Sequence, residues 1–327
     1  MTFPFNAYLL AFLGGLCVTA ASVPLWRAWS ERKGLVDDPG HRKIHGTPIP
    51  LCGGFAVFSG IAVVLVGGMA AIQLRLLDPV AVDRLAYGLG RRAGELGAIL
   101  AGALAMLLLG AWDDHRELKP AAKFAGQTAI ALLVAAAGVR VTLFVPSVLF
   151  SYAITVLWIL AVTNAVNFND NMNGLCGGLG MIGTGWIGYH AASEGQYLVA
   201  LLALLTAGSL LGFLPYNFPR ASVFLGDAGS HLVGFLLAVL AILPHFYSTR
   251  STTPSRWAVL SPLFLLAVPL ADLTSVVWIR TRAGRPFWIG DTNHFSHRLV
   301  RAGWTKPRAV MLLWSLALLA GTATLWL

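Results

Sequence analysis

Charge is the scarcest property of this chain. Only 11% of its 327 residues are Asp, Glu, Lys or Arg, whereas 57% are hydrophobic. Soluble domains carry roughly a quarter charged residues, so the composition excludes an ordinary soluble fold. The chain has only three cysteines and no CxxC pair, which argues against a zinc site and a disulfide framework. No repeat, low-complexity tract or separate soluble region divides it, so we treat residues 1–327 as a single polytopic membrane domain.

Hydrophobic runs occupy most of the sequence. They are about the length that a membrane-spanning helix requires, ~20 residues. The ten runs are 5–25, 53–74, 95–111, 121–139, 148–166, 174–192, 197–214, 231–243, 257–279 and 308–327. No Lys or Arg precedes Arg27, which favours a retained first helix over a signal peptide. The pattern predicts an all-α integral membrane protein of about ten transmembrane helices, with a small outer β-hairpin at 140–144.

The loops differ in their basic content. Most of the 23 Lys and Arg residues lie in the loops that follow odd-numbered spans. The positive-inside rule therefore predicts that these loops are cytoplasmic and that both termini are outside. The net charge of +9 fits a basic rim that attracts lipid headgroups or an anionic substrate. Nucleic-acid binding is not predicted, because the basic residues are divided among loops and form no stripe.

Five polar segments carry most of the remaining chemistry, and all lie on the predicted cytoplasmic face. They are 37–54, 113–127, 164–175, 217–230 and 291–303. A chain that only crossed a bilayer would have no reason to collect carboxylates on one face. The arrangement predicts cytoplasmic catalytic loops and an active site at the membrane surface.

Two of these segments concentrate carboxylates and amides. Asp113 and Asp114 lie at a helix end, where Asp114 could also serve as an N-cap of the following helix. Lys123 and Gln127 share one face of that helix, and their side chains would point back to the same surface. The segment 164–174 holds five Asn and one Asp, more than a turn requires. Side chains so rich in oxygen suit a hard cation or the polar groups of a sugar nucleotide.

The segment 224–230 predicts a tight, glycine-containing turn that opens onto a helix, an arrangement suited to phosphate. Asp227 could simply cap that helix. However, Asp113, Asp114, Asp170 and Asp227 on one face would repel each other unless a cation compensated them. A divalent metal, Mg²⁺, is the economical solution.

Histidines near the C-terminus predict an anion site. His294 and His297 have the spacing of a zinc pair, but the neighbouring Arg298 disfavours a cation, so we favour a phosphate clamp. The basic segment 41–45 supports the same interpretation, with a solvated loop near lipid headgroups as the alternative. Asp272 is a functional candidate because it lies within a predicted span, although it could also face the cytoplasmic end of the bundle.

Taken in order, these segments resemble the polyprenyl-phosphate N-acetylhexosamine-1-phosphate transferases. The matching pieces are DDPGHRKIHGTPIPLCGG, GAWDDHREL with KFAGQ, NAVNFNDNMNGL, YNFPRASVFLGDAGS, PLAD and DTNHFSHRLVRAG. The resemblance implies transfer of a sugar-1-phosphate from a UDP-sugar to polyprenyl (undecaprenyl) phosphate, with release of UMP, as the first step of a cell-envelope polysaccharide. The segment 45–54 is similar to the branch that uses simple UDP-N-acetylhexosamines. The resemblance further implies the bacterial inner membrane and a homodimer.

The resemblance also implies roles for individual residues. The catalytic group would be Asp113, Asp114 and Asp170, with Asp113 accepting the proton of the lipid phosphate. Asp227 and Asn173 would hold Mg²⁺, with Mn²⁺ as the alternative. The substrate-binding residues would be Lys123, Asn164, Asn167, Asn173, Asn217, Phe224, His294, His297, Arg298 and His45. Direct attack and a covalent intermediate are both open at this point.

Two positions depart from the family pattern. Asn173 stands where bacterial members usually have Asp, and Ser296 stands where many have a third histidine. A catalytically idle relative is therefore one alternative. A secondary transporter is another, although transporters usually place their sites near the midplane and often have repeated halves.

Overall fold

Helices account for nearly all of the regular structure. The computed structural model describes residues 2–37, 48–143, 145–244, 246 and 256–327. Within those residues there are twelve α-helices: α1 (Phe5–Lys33), α2 (Gly53–Gln73), α3 (Pro79–Arg116), α4 (Pro120–Ala136), α5 (Val148–Phe168), α6 (Leu175–Ser193), α7 (Tyr197–Asn217), α8 (Gly226–Ile242), α9 (Ser261–Leu265), α10 (Ala267–Arg282), α11 (Phe295–Arg301) and α12 (Lys306–Ala323). The predicted all-α fold is confirmed, and each predicted span is largely helical.

The helices differ in their capacity to cross a membrane. Six are long and apolar enough to do so: α1, α2, α3, α5, α7 and α12. The pair formed by Trp257–Leu265 and α10 is bent by 75° and would make a seventh span. The apolar helices α4 and α8 are shorter. The chain is therefore a multi-pass membrane protein, and its described residues hold fewer full-length spans than the ten predicted.

Helix α8 lies at the centre of the bundle. Nearly all of its residues are buried, and it packs against α3 on one side and α5 on another. Gly110 of α3 makes one close approach possible, because a Cβ there would lie 2.2 Å from the Asp227 carbonyl oxygen. The missing side chain brings the end of α3 against the start of α8 and so brings their aspartates together.

Two local predictions were wrong. The residues before 95, predicted as an outer loop, belong to α3, which starts at Pro79 because Asp78 accepts hydrogen bonds from Val80 N and Ala81 N. No strand forms in the described residues 140–143, and residue 144 lies outside the description. The backbone of Val141 instead pairs with side chains of α5, Thr155 Oγ1 at 2.9 Å and Ser151 Oγ at 2.8 Å.

The two-stranded hairpin lies elsewhere, at the opposite end of the bundle. Its strands are β1 (Val36–Asp37) and β2 (Ile49–Pro50), which pair antiparallel. Just beyond β2, Gly53 N donates to the Phe224 carbonyl oxygen at 2.9 Å. We call this end, where α3 and α5 finish and α8 begins, the site face, and the other end the distal face. Which of them is cytoplasmic stays a prediction.

Candidate active site

A lysine joins two aspartates on the site face. Lys123 Nζ on α4 lies 2.6 Å from Asp113 Oδ2 on α3 and 3.5 Å from Asp227 Oδ2 on α8. Asp113 is only 8% exposed, and its other oxygen accepts a hydrogen bond of 2.7 Å from Leu118 N. The ammonium group therefore acts as an internal cation between the two carboxylates.

Asp114 caps a helix, but a different one from the helix considered in the sequence analysis. Its Oδ1 accepts from Asp227 N at 2.8 Å and its Oδ2 accepts from Ala228 N at 3.0 Å. It thereby caps the N-terminus of α8, whereas α4, the following helix, has no side-chain cap bond. Both oxygens are used in fixing Asp227 beside Asp113.

Asp227 is also fixed from α5. Asn167 Nδ2 donates to Asp227 Oδ1 at 2.5 Å and to Ser230 Oγ at 2.8 Å. Asp170 lies in the turn after α5, where burial and the charges of Asp227 and Asp114 raise its pKa to about 8. We call Asp113, Asp114, Asp170 and Asp227 the carboxylate cluster. Lys123 contacts only two of these four acids, so the negative charges that raise the pKa of Asp170 are not fully compensated.

The cluster can accommodate a divalent cation. One ligand atom from each of Asp113, Asp227 and His231 lies within 4.8 Å of the others. Carboxylate oxygens are the ligands that Mg²⁺ and Mn²⁺ prefer, and an added positive charge would relieve the repulsion among the aspartates. These residues therefore could hold a divalent metal, which would supply positive charge to the aspartates.

His231 is a residue that the sequence interpretation missed. Its side chain is fully buried, and Gln127 Nε2 lies 3.3 Å from its Nε2. Asn164 Nδ2 donates to Gln127 Oε1 at 2.7 Å and to the Leu160 carbonyl oxygen at 2.8 Å. His231 follows Asp227 by four residues on a helix, a spacing that places both on one face and could have indicated its position. Asn164, predicted to bind substrate, here belongs to this buried polar chain.

Two other predicted substrate residues tie loops together. Asn217 Oδ1 accepts from Gly174 N at 2.6 Å, and its Nδ2 donates to the Val223 carbonyl oxygen at 2.9 Å. Asn173 Nδ2 lies 3.4 Å from the Pro219 carbonyl oxygen, in the same group of loops. Both amides thus hold the turn after α5 against the loop after α7. Their predicted ligand and metal contacts stay predictions.

Phe224 joins two of the predicted segments through its backbone. Its N–H donates to the Pro50 carbonyl oxygen at 2.9 Å, and Leu51 and Phe224 form a parallel bridge. The half-buried ring stands beside the turn that starts α8. His45, the predicted contact from the neighbouring basic segment, lies outside the described residues.

The predicted phosphate clamp is organised by Asp272. His294 Nδ1 lies 2.6 Å from Asp272 Oδ2, and Phe295 N donates to Asp272 Oδ1 at 2.7 Å. An ionised Asp272 places the ring proton on Nδ1 and leaves His294 Nε2 to bind a ligand. Asp272, which was predicted as a functional candidate, is only 1% exposed and contacts His294 directly.

The other members of the clamp are more open. His297 is half-buried, with its ring centroid 6.3 Å from that of His294, and its pKa is lowered by burial and by the neighbouring positive charges. Arg298 is exposed, with Nη1 3.5 Å from Ser275 Oγ. The structure therefore brings His294 and His297 together and leaves Arg298 at the surface.

A buried arginine beside the clamp was also missed. Arg280 is 2% exposed and makes two bonds to Asp291, of 3.1 and 3.2 Å, while its guanidinium lies 5.2 Å from the centre of the Phe168 ring. Burial alone would raise the pKa of Asp291, but the hydrogen bonds from Arg280 and Asn293 lower it to about 2. The position of Arg280 at the end of an apolar span could have indicated this role from the sequence.

Comparison with known proteins bears on this arrangement. Residues 96–245 match the family described as Glycosyl transferase family 4. A probable undecaprenyl-phosphate N-acetylglucosaminyl 1-phosphate transferase from Bacillus subtilis is 30% identical over 98% of this chain and 86% of its own length. The chain belongs to glycosyl transferase family 4. The predicted family is thus confirmed.

Other relatives in glycosyl transferase family 4 agree. A decaprenyl-phosphate N-acetylglucosaminephosphotransferase from Mycobacterium tuberculosis is 32% identical over 95% of this chain and 80% of its own length. An undecaprenyl-phosphate alpha-N-acetylglucosaminyl 1-phosphate transferase from Escherichia coli O157:H7 is 28% identical over 91% of this chain and 78% of its length. The family transfers N-acetylhexosamine-1-phosphate to polyprenyl phosphate and is generally metal-dependent. Membership favours a transferase over a transporter.

Proposed function

We propose that this chain transfers N-acetylhexosamine-1-phosphate from a UDP-sugar to polyprenyl phosphate, releasing UMP. The observation that carries the proposal is the under-compensated carboxylate cluster at the start of α8, in a member of this transferase family. A site with excess negative charge and one bridging lysine suits a metal-bound diphosphate, which supplies both a cation and a partner for the lysine. Undecaprenyl phosphate is the proposed acceptor and N-acetylglucosamine the proposed sugar, because both occur in the relatives' names.

Phosphoryl transfer needs charge neutralisation and in-line positioning more than covalent help from the protein. Asp227, with Asp113 beside it, would hold Mg²⁺, or Mn²⁺ in its place, which neutralises diphosphate oxygens when bound. Asn167 and the Asp114 cap keep Asp227 in position for this role. Lys123, which lies beside both aspartates, would contact the diphosphate.

Asp113 would accept the proton of the attacking phosphate. An oxygen of polyprenyl phosphate attacks the β-phosphorus of the UDP-sugar and forms the new P–O–P bond. The bond from that phosphorus to the bridging oxygen breaks, and UMP leaves with the electron pair. We favour direct attack over a covalent intermediate, because an Asp113 that accepts the proton of the lipid phosphate does not also act as the nucleophile.

The donor would lie between the cluster and the clamp. His294 offers an unsubstituted Nε2 in a fixed orientation, and His297 and Arg298 extend the basic surface beside it. The loops that Asn217 holds together would form the uridine side of the site, and Phe224 would stack on uracil. Asp170 and Asn173 lie in the same group of loops.

The test is release of UMP by purified protein in detergent, with undecaprenyl phosphate, Mg²⁺ and a panel of UDP-sugars. We expect lipid-dependent release with a UDP-N-acetylhexosamine, lost in Asp113→Asn and Asp227→Ala. Asp83→Asn is the matched control, since Asp83 is an exposed aspartate in the distal half of α3. Absence of release with every donor, from folded protein that still binds a UDP-sugar, would overturn the proposal in favour of a catalytically idle relative.

A further inference from the structure

A large cavity opens on the distal face of the bundle. Its volume is about 1490 Å³. Its walls come from the first turns of α1, the last turns of α2, the first half of α3, the middle of α5 and the start of α7. Most of the lining side chains are apolar, so the cavity suits hydrocarbon rather than a polar metabolite.

This cavity is separate from the candidate active site. It reaches Ala241 at the end of α8, whereas Asp227 lies in the first turn of that helix. The two residues are fourteen positions apart, which corresponds to about 21 Å along an α-helix. A phosphate bound at the carboxylate cluster therefore cannot also reach the distal mouth of the cavity.

Arginines border the cavity without acidic partners. Arg84 donates to Tyr197 Oη at 2.9 Å and lies over the rings of Phe3 and Tyr197. Arg140 lies 5.3 Å from the centre of the Tyr152 ring. Neither pairs with a carboxylate in the described part of the chain, so no acidic side chain there compensates either guanidinium.

A third arginine of the lining differs from these two. Arg92 Nη1 lies 2.5 Å from Glu95 Oε1, so its charge is compensated within α3. The border of the cavity consequently carries a net positive charge from Arg84 and Arg140. An apolar cavity with a positive border is complementary to a molecule that has hydrocarbon chains and a negatively charged head.

We propose that the distal cavity binds an anionic phospholipid. Its acyl chains occupy the cavity, and its phosphate is attracted by the guanidinium groups of Arg84 and Arg140. Aromatic rings hold both guanidiniums at the border, where long basic side chains in membrane proteins meet headgroups. The proposal does not depend on the proposed transfer reaction.

The glycines of α2 provide a way to fill the cavity. Gly67 and Gly68 line it, and a Cβ at either position would meet no atom within 4 Å. Gly68→Leu therefore puts a side chain into the cavity without displacing protein atoms, and it also removes a poor helix former. Gly97→Leu is the matched control, because Gly97 on α3 is equally open but does not line the cavity.

The experiment is a native mass spectrometry titration of the purified full chain with phosphatidylglycerol and phosphatidylcholine that carry identical acyl chains. We expect tighter binding of phosphatidylglycerol. Arg84→Gln and Arg140→Gln should each weaken that binding about fivefold, and together about 30-fold, since a basic residue near a lipid surface contributes ~1 kcal/mol. Phosphatidylcholine binding should change less in these variants, because its choline cation offsets the charge of its phosphate. Arg75→Gln, an exposed arginine just after α2, should leave both lipids unaffected.

Gly68→Leu should weaken binding of both lipids, and Gly97→Leu should weaken neither. Equal binding of the two lipids, or an Arg75→Gln effect as large as that of Arg84→Gln, would overturn the proposal. If Gly68→Leu instead raised the KM for undecaprenyl phosphate and spared phospholipid binding, the cavity would belong to the acceptor's tail. A changed oligomeric state with unchanged lipid binding would show that a second copy of the chain covers this surface.

Discussion

Two groups of acidic residues on the site face differ in how their charge is balanced. Asp272 and Asp291, which we call the paired acids, have one basic partner each, His294 at 2.6 Å and Arg280 at 3.1 Å. The carboxylate cluster has four acids and one lysine. The charge of each paired acid is compensated without a ligand, whereas the charge of the cluster is not.

The difference distinguishes residues that hold the structure in place from residues that are expected to bind the substrate or a cation. A pair of opposite charges with good hydrogen-bond geometry holds neighbouring segments in place, as Asp272 does for the start of α11. A set of like charges held together by the fold is unfavourable in itself and indicates a place where a cation is expected. Substitution of an acid in the cluster should therefore lower activity more than stability. Substitution of a paired acid should have a larger effect on stability.

The largest expected effect is on activity in the cluster. Asp227→Asn should lower transfer about 10³-fold, because it removes a charged ligand of the proposed metal. Its melting temperature without metal should stay the same or rise, since the substitution relieves repulsion. UMP release and thermal unfolding in the same detergent would measure both, with Asp83→Asn as the control. A large loss of stability in Asp227→Asn would contradict the comparison.

Asp272→Asn should have the next largest effect. Asp272 acts through His294, so an amide in its place loses the charge that fixes the ring proton on Nδ1. Loss of such a supporting carboxylate typically lowers activity 10–100-fold, and we expect a change of about that size. The KM for the UDP-sugar should rise and the pH profile of kcat/KM should shift. Unchanged KM and pH profile, with lowered stability alone, would show that Asp272 only caps α11.

The comparison also shows what could be predicted from sequence. The Asp113–Asp114 pair and Asp227 were found because their segments are polar interruptions in an apolar chain. Gln127 was predicted to share a helix face with Lys123, whereas His231 was missed although it follows Asp227 by four residues on α8. The contact between Gln127 and His231 comes from tertiary structure. Asn217 was predicted to contact uridine, but in the structure its side chain joins two loops. Segment order predicts which loops meet, but the direction of each side chain comes from tertiary packing.

Lys123→Gln should act on stability through the cluster. Removing the ammonium leaves Asp113 and Asp227 without their common partner, and we expect a loss of about 2 kcal/mol because the pair is largely buried. Mg²⁺ should restore much of that loss, since it supplies the missing charge. Thermal unfolding with and without Mg²⁺ measures this, and the exposed Lys119→Gln is the control. If Mg²⁺ stabilised both variants equally, Lys123 would not be the internal cation of the cluster.

The paired acids predict a dependence on pH. Arg280 lowers the pKa of Asp291 to about 2, below its value in the unfolded chain, so the pair stabilises the protein at neutral pH. That contribution, about 2 kcal/mol, is lost as the pH falls from about 4 to about 2. Asp291→Asn should therefore melt at a lower temperature than the unsubstituted protein at pH 7, with the difference closing in that acid range. A constant difference between pH 7 and pH 3 would contradict the role of the ion pair.

The smallest expected effect concerns Ser296, the position at which the family resemblance predicts a histidine. Ser296 is 1% exposed, and its Oγ donates to Asn171 Oδ1 at 2.6 Å, which joins α11 to the turn after α5. Ser296→Ala should cost about 1 kcal/mol of stability and change activity only severalfold, because a neutral hydrogen bond is lost and no ligand contact. Ser315→Ala, an exposed serine on α12, is the control for both measurements. A loss of activity as large as that of Asp272→Asn would place Ser296 at the substrate, and the contrast between supporting and reacting groups would fail at this position.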